Sequence, residues 1–417
     1  MTSIERVCGA AKAASRTLAR MSSHQKGVVL REMADAIERR AGEILHDNAE
    51  DVAQAKRQHA PPAVVDRLYL DEDSIADMAG CIRRVAELPD PVGEIDHGWR
   101  LANGLQIARQ RVPLGVVAIV YEGRPNVTSD AAALCLKSGN AVILRGSHVA
   151  YRSNRILAEV LTGALIEAEA PPAAITLLGT DREELRQLVR MEGMVDLVVP
   201  RGGPGLKDFL LDNARVPLVF ASAGNNHVYV DADADLEMAL KITVNAKVPR
   251  PGVCNAAETL LVHRDVAADF LPRAVDALRG HGVDLRVCAE GLAALGERGA
   301  DLREATDEDF ATEFLSLAMA VRVVESLDAA IEHVSRFGTG HSEAIVTRSL
   351  GSATEFQQAV DAACVYVNAS TRFTDGAEFG MGAEIGSSTQ KIHARGPIGL
   401  TELTTMKYLI MGQGQVR

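Results

Sequence analysis

A cysteine between a Pro-Gly turn and a β-like run raises the question of covalent chemistry. Cys254 stands in "VPRPGVCNAAETLLV", residues 248 to 262. A free thiol has a pKa near ~8.5, so little of it is thiolate at neutral pH without help. Backbone N–H groups of a turn can give that help, and can bind the oxyanion formed on attack. The other five cysteines, Cys8, Cys81, Cys135, Cys288 and Cys364, fall in helix-like or strand-like runs, where cysteine packs as a small hydrophobe. Local context alone leaves Cys254 evenly divided between nucleophile and packed thiol. The cysteines form no CxxC pair and the 11 histidines show no HExxH spacing, so no metal is expected.

Two further features suit an anionic ligand. In "VVPRGGPGLKDF", Gly202, Gly203 and Gly205 follow a strand-like run and precede a helix-like one, where backbone N–H groups can approach a phosphate. A plain strand-to-helix turn explains the motif equally well. Arg145 ends the run "AVILRG", and the ends of parallel strands are where ligands bind. It suits a phosphate, including the 2′-phosphate of NADP, yet taken alone such an Arg is more often a surface cap. The place after the first strand reads "AIVYEGRPNV", without the GxGxxG of a standard dinucleotide turn.

These residues must be held by a larger frame. Residues 3 to about 90 are Ala/Glu/Arg-rich with helical spacing of apolar positions. "GWRLANGLQIARQRVPLG" predicts a hairpin around Asn103-Gly104. From 114, buried strands ("LGVVAIVY", "AVILRG", "AITLLG", "VDLVVPRGG", "VPLVFASAG") alternate with helices, which implies a parallel doubly wound sheet. A second such series begins near 227, with Cys288 and Cys364 in strand-like runs, and "TMKYLIMG" can close the chain as an edge strand.

The 417 residues favour two or three domains. With 47% hydrophobic and 24% charged residues the composition is that of a globular protein, and no apolar run reaches a membrane span. The N-terminus reads as an amphipathic helix rather than a signal peptide, so a cytoplasmic location is expected. A net charge of −12 argues against nucleic-acid binding, but not against an anionic substrate in a locally basic cleft.

Four stretches together carry a resemblance: "RPGVCNAAETLLV", "YEGRPNVTSDAAALCLKSGNAVILRGS", "EFLSLAMAVRVV" and "VYVNASTRFTDGAEFGMGAEIGSSTQKIHARGPIGLTELTTMKY". From about 20 to 410 the chain resembles the gamma-glutamyl phosphate reductase (glutamate-5-semialdehyde dehydrogenase) family of the aldehyde dehydrogenase superfamily. The resemblance implies an aldehyde dehydrogenase-like fold with two doubly wound α/β domains. An NADPH-binding domain would take 1–98 and 113–245, and a catalytic domain 246–370. A hairpin at 99–112 and the segment 371–417 would give an oligomerisation element and a substrate-end motif, so a homo-oligomer is implied.

By the same resemblance, Cys254 is the nucleophile. Arg145 and Ser147 read the adenine ribose of NADPH. Gly202 and Gly203 lie near the pyrophosphate, and Glu313 holds the nicotinamide ribose. Asn126 takes the oxyanion-hole position, with Arg124 competing. Asn368, Ser370, Thr371 and Arg372 form the substrate end, and the Arg372 guanidinium suits the α-carboxylate. Hydrolytic relatives carry a Glu that activates water. Here the matching stretch is "LVFASAGNN", without a carboxylate, which fits a reductase that must keep its thioester from water.

The implied reaction is NADPH-dependent reduction of L-glutamyl 5-phosphate to the 5-semialdehyde, in proline biosynthesis. Pathway logic adds glutamate 5-kinase as a partner. Rival readings are a reductase of coenzyme A thioesters, disfavoured by "NASTRFTDG", and a non-enzymatic protein that keeps the fold. The length leaves no room for a fused kinase domain.

Overall fold

The computed structural model describes residues 3–220 and 223–417. The chain forms two compact units. Unit one comprises Met1–Phe220, Gly380–Gly386 and Ile398–Arg417, and unit two Ala221–Phe379 and Ser387–Pro397.

Unit one opens with the helices Ser3–Leu18, Ser23–Arg39, Ala41–Arg57, Pro62–Leu68 and Glu72–Glu87. Their apolar positions fall on one face, and Val29, Leu30, Met33 and Ile37 of the second are buried. Ser22 starts that helix with a capping box to Gln25, satisfying donors that a helix start leaves open. The hairpin follows as β1 (Ile95–Arg100) and β2 (Gln106–Pro113), turning at Gly104 with φ 91°. The C-terminal strand Thr404–Met411 pairs antiparallel along the other side of β2 and forms a sheet edge, as its sequence predicts. Ile95, Trp99, Tyr408, Ile410 and Met411 of this sheet remain exposed.

The main sheet of unit one contains β3 (Val116–Tyr121), β4 (Ala141–Arg145), β5 (Ile175–Leu177) and β6 (Leu197–Arg201), parallel in the order β5-β4-β3-β6. Every residue of β3 is buried, which explains its unbroken apolar run. Strand order reverses between β3 and β6, so the switch point lies at the carboxyl ends of those two strands. The stretch 216–224, expected as a further strand, makes only a bridge from Leu218 to Val198 among the described residues. Pro217 has no N–H to donate, which cuts the ladder short. Ala221 and Ser222 of that stretch lie outside the described residues.

Unit two is built on β7 (Asn226–Val230), β8 (Ala257–His263), β9 (Asp284–Val287), β10 (Arg303–Glu304), β11 (Ala318–Val324), β12 (Ser342–Val346) and β13 (Cys364–Val367). They are parallel in the order β10-β9-β11-β8-β7-β12-β13. Alternate residues feed two cores: Val228, Val230, Leu260 and Val262 on one face, Tyr229, Leu261 and Ile345 on the other. Cys288, expected in a strand, instead caps the helix Ala289–Leu295. Its sulfur accepts the N–H groups of Gly291 and Val323, so it replaces a side-chain oxygen at the helix start.

Candidate active site

In unit one the residues expected to hold a cofactor gather at the carboxyl ends of β3, β4 and β6. Gly203 begins the turn into the helix Pro204–Asn213, and its N–H donates to the Glu122 carboxylate just beyond β3, at 3.2 Å. A Cβ at Gly202 would stand 2.8 Å from that carboxyl carbon and from Leu206 Cδ2, so a side chain there would have to displace both. Around Gly203 there is open space, which suits close approach of a phosphate to the backbone. Arg145 ends β4 and donates Nη2 to the Thr180 carbonyl at 2.8 Å, while its buried Nε has no partner among the described residues. Burial lowers its pKa from the ordinary value. Ser147 Oγ lies 3.4 Å from the Gly123 N–H, which donates to it. An orphaned guanidinium N–H and a glycine cradle at a switch point fit a dinucleotide phosphate.

Asn126 is the first residue of the helix Asn126–Lys137 and donates Nδ2 to Asp130 at 2.9 Å. Burial lifts the Asp130 carboxyl to about 6. Arg124 lies just before this helix, half-buried, its carbonyl accepting the Val127 N–H.

In unit two the turn carrying Cys254 lies between the helix Leu236–Lys247 and β8, at the amino ends of β7, β8 and β12. Asn226, the first residue of β7, donates Nδ2 to the carbonyls of Cys254 and Ala256, both at 2.7 Å, and accepts the Ser342 N–H at 3.1 Å. One buried amide thus fixes the turn against two strands. The segment 370–374 holds it as well. Thr371 donates Oγ1 to the Asn255 carbonyl at 2.7 Å, and Arg372 contacts Asn255 Oδ1 through Nη1. Asn255 Nδ2 donates in turn to the carbonyls of Arg372 and Thr374. Ser370 caps the short helical turn Thr371–Phe373.

The six cysteines separate clearly. Cys8, Cys135, Cys288 and Cys364 are buried. Cys81 is partly exposed, but burial, with Asp130 beside it, pushes its pKa to about 12 and keeps it a thiol. Cys254 is partly exposed and is the one of the six set on a braced turn. Arg372 lies close enough to feel both Cys254 and Arg250; burial lowers its pKa first, Arg250 lowers it further and Cys254 opposes. One cationic side chain, Arg372, thus lies within electrostatic reach of the Cys254 sulfur, with Arg250 near that guanidinium.

The expected site residues differ in how free they are. Asn368 spends its amide on Thr347, accepting its N–H and donating to its carbonyl, both at 2.9 Å. It holds the chain at φ 57° and so shapes the loop leading to Arg372. Glu313 Oε1 accepts the Gly224 N–H at 2.6 Å, and burial raises its pKa. Sequence reasoning missed Gly224, Asn226, Asn255, Lys247 and Glu258. A polar Asn opening an apolar strand, in "AGNNHVYV", was the available signal for Asn226.

A sequence model of the aldehyde dehydrogenase family matches residues 1–284. The gamma-glutamyl phosphate reductase of Caldanaerobacter subterraneus subsp. tengcongensis is 52% identical over 98% of each chain. That of Enterococcus faecalis is 51% identical over 100% of this chain and 99% of its own. The crystal structure of the Thermotoga maritima gamma-glutamyl phosphate reductase superposes with a TM-score of 0.96 at 43% identity, covering 100% of both chains. The expected fold class is thereby confirmed, and this chain belongs to the gamma-glutamyl phosphate reductase family within the aldehyde dehydrogenases.

Proposed function

We propose that the protein reduces L-glutamyl 5-phosphate to L-glutamate 5-semialdehyde and phosphate with NADPH, in proline biosynthesis, through a thioester on Cys254. The observation that carries the reading is the Cys254 turn, braced by Asn226 and by Thr371 and Arg372, in a chain half identical to reductases of that name.

Cys254 sulfur attacks the γ-carbonyl carbon, a C–S bond forms, and the oxyanion takes the Cys254 backbone N–H and a side-chain amide, for which Asn126 is the candidate. The oxyanion then re-forms the carbonyl, and the C–O bond to phosphate breaks with its electron pair on phosphate. NADPH, when bound, supplies the hydride that reduces the thioester. The resulting thiohemiacetal releases the aldehyde as the C–S bond breaks and the thiolate returns. Arg372, steered by Asn255, holds the α-carboxylate. Arg145, Ser147, Gly202, Gly203 and Glu313 are assigned to the cofactor, and Asn368, Ser370 and Thr371 to shaping the substrate end. Arg124 stands as the alternative to Asn126. The stretch "LVFASAGNN" offers no carboxylate to activate water, which protects the thioester.

The exposed apolar side chains of Trp99, Tyr408 and Ile410 on the hairpin sheet support homo-oligomer formation there. A cytoplasmic location and a glutamate 5-kinase partner follow from the same pathway reading. Among the described residues, no helix is long and apolar enough to cross a membrane.

The test is the reverse reaction. Pyrroline-5-carboxylate, in equilibrium with the semialdehyde, is mixed with NADP and phosphate, and NADPH absorbance is followed. Phosphate-dependent reduction that vanishes in Cys254→Ala is expected. Reduction without phosphate would replace this reading with a hydrolytic dehydrogenase.

A further inference from the structure

The Cys254 turn has two feet, and a buried ion pair joins them. Lys247 is the last residue of the helix before the turn, and Glu258 is the second residue of β8 after it. Lys247 Nζ contacts Glu258 Oε2, and both side chains are 1% exposed or less. The other oxygen of the same carboxylate reaches a different segment: Glu258 Oε1 accepts the Leu315 N–H at 3.3 Å. Leu315 holds φ 51°, a conformation a non-glycine residue keeps only when its surroundings demand it. Two residues earlier stands Glu313, whose carboxylate accepts the Gly224 N–H. A Cβ added at Gly252, in the turn, would lie 3.6 Å from the Leu315 carbonyl, so turn and loop also run side by side.

From this circuit we infer that Glu258 is a positioning residue that fixes the nucleophile turn and the Glu313 loop in one register. The inference rests on the reading of Cys254 and Glu313 given above. Its physical basis is that one carboxylate serves two segments at once: Oε2 closes the turn and Oε1 sets the loop. A pair kept only for stability would need no second acceptor. Burial raises the Glu258 pKa even with Lys247 against it, and lowers that of Lys247, so this placement costs stability that an apolar pair would not. Phe314, between Glu313 and Leu315, places its ring 5.9 Å from Lys247 Nζ and 4.5 Å from the Arg286 guanidinium, which anchors the loop from its other side.

The experiment compares Glu258→Gln with the double variant Lys247→Met/Glu258→Leu in the full-length protein. Glutamine keeps an acceptor for Leu315. The double variant replaces the pair with apolar side chains that restore packing but leave Leu315 without its acceptor. Expected for the double variant is a melting temperature near wild type, with kcat reduced at least tenfold and the NADPH Kd raised at least fivefold. Glu258→Gln should retain NADPH affinity within twofold. A folded double variant with wild-type kcat and Kd overturns the proposal. Should the double variant not fold, amide hydrogen exchange on the wild-type protein decides. Segments 248–257 and 313–316 opening at one common rate support the coupling, and rates differing by more than tenfold overturn it. That measurement needs no turnover, so its outcome is separate from that of the reverse assay.

Discussion

Gly224 and the carbonyl of Cys254 fill the same small space: a Cβ at Gly224 would stand 1.5 Å from that oxygen and 2.6 Å from its carbon. The Cys254 turn therefore packs against bare backbone. Gly224→Ala must push the turn aside, and a displacement of about 1 Å at a reacting group costs on the order of 100-fold in rate. The reverse assay is expected to show a kcat loss of at least that order. A Gly224→Ala enzyme within threefold of wild type would refute the tight approach.

Thiol labelling tests the assignment of the nucleophile by chemistry rather than turnover. In native protein at neutral pH, iodoacetamide should modify Cys254 first. Cys8, at about 11, and Cys81, at about 12, stay protonated because burial disfavours their thiolates. Peptide mapping that finds Cys81 labelled ahead of Cys254 would count against the assignment.

Asn226→Ala removes one amide that satisfies two carbonyls and one N–H, and leaves buried polar groups unpaired. Each such group costs ~1–3 kcal/mol, so a loss of about 3 kcal/mol is expected for the variant. The readout is the denaturation midpoint, together with a fall in kcat because the Cys254 turn loosens. An unchanged midpoint would show that the turn is held by the Asn255 side alone.

Arg372→Lys keeps the charge and loses the paired geometry of the guanidinium. The KM for the semialdehyde should rise about 10- to 100-fold, equal to about 1.4–2.7 kcal/mol, with the KM for NADP unchanged. A change confined to the NADP term would move Arg372 out of the substrate end.

Asp130 gives a pH dependence of stability. Its carboxyl is at its ordinary value, near 3.8, when unfolded, and partial burial raises it to about 6 in the fold. The folded protein thus holds an extra proton between those values. The stability this contributes is complete below about pH 4 and is lost as pH rises through about 6, roughly 3 kcal/mol in all. In urea titrations across pH 4–7, Asp130→Asn should flatten that part of the profile. A variant with the wild-type slope would place the titration on another group.

The sequence by itself determined a good deal. An unbroken apolar run marked β3 as a buried strand, "ETLLVH" marked β8 as a strand, and "TMKYLIMG" marked a C-terminal edge strand. The Pro-Gly turn set Cys254 apart from the other five cysteines without deciding its role, and only the family resemblance pointed to Arg372. Local chemistry is legible there because turn and strand preferences act over a few neighbouring residues. It misled at residues 216–224, which look like a strand, but with Pro217 among them they make only one bridge, Leu218 to Val198, among the described residues. It was silent where partners lie far apart in the chain. Nothing in "AGNN" announces that Asn226 reaches Cys254, 28 residues on, or that Gly224 must stay bare beneath its carbonyl. Nor does the spacing of Lys247, Glu258 and Leu315 show that one carboxylate serves two segments. Only the tertiary structure decided these, because hydrogen-bond satisfaction and close packing in a buried site depend on which groups the fold brings within about 3 Å of one another.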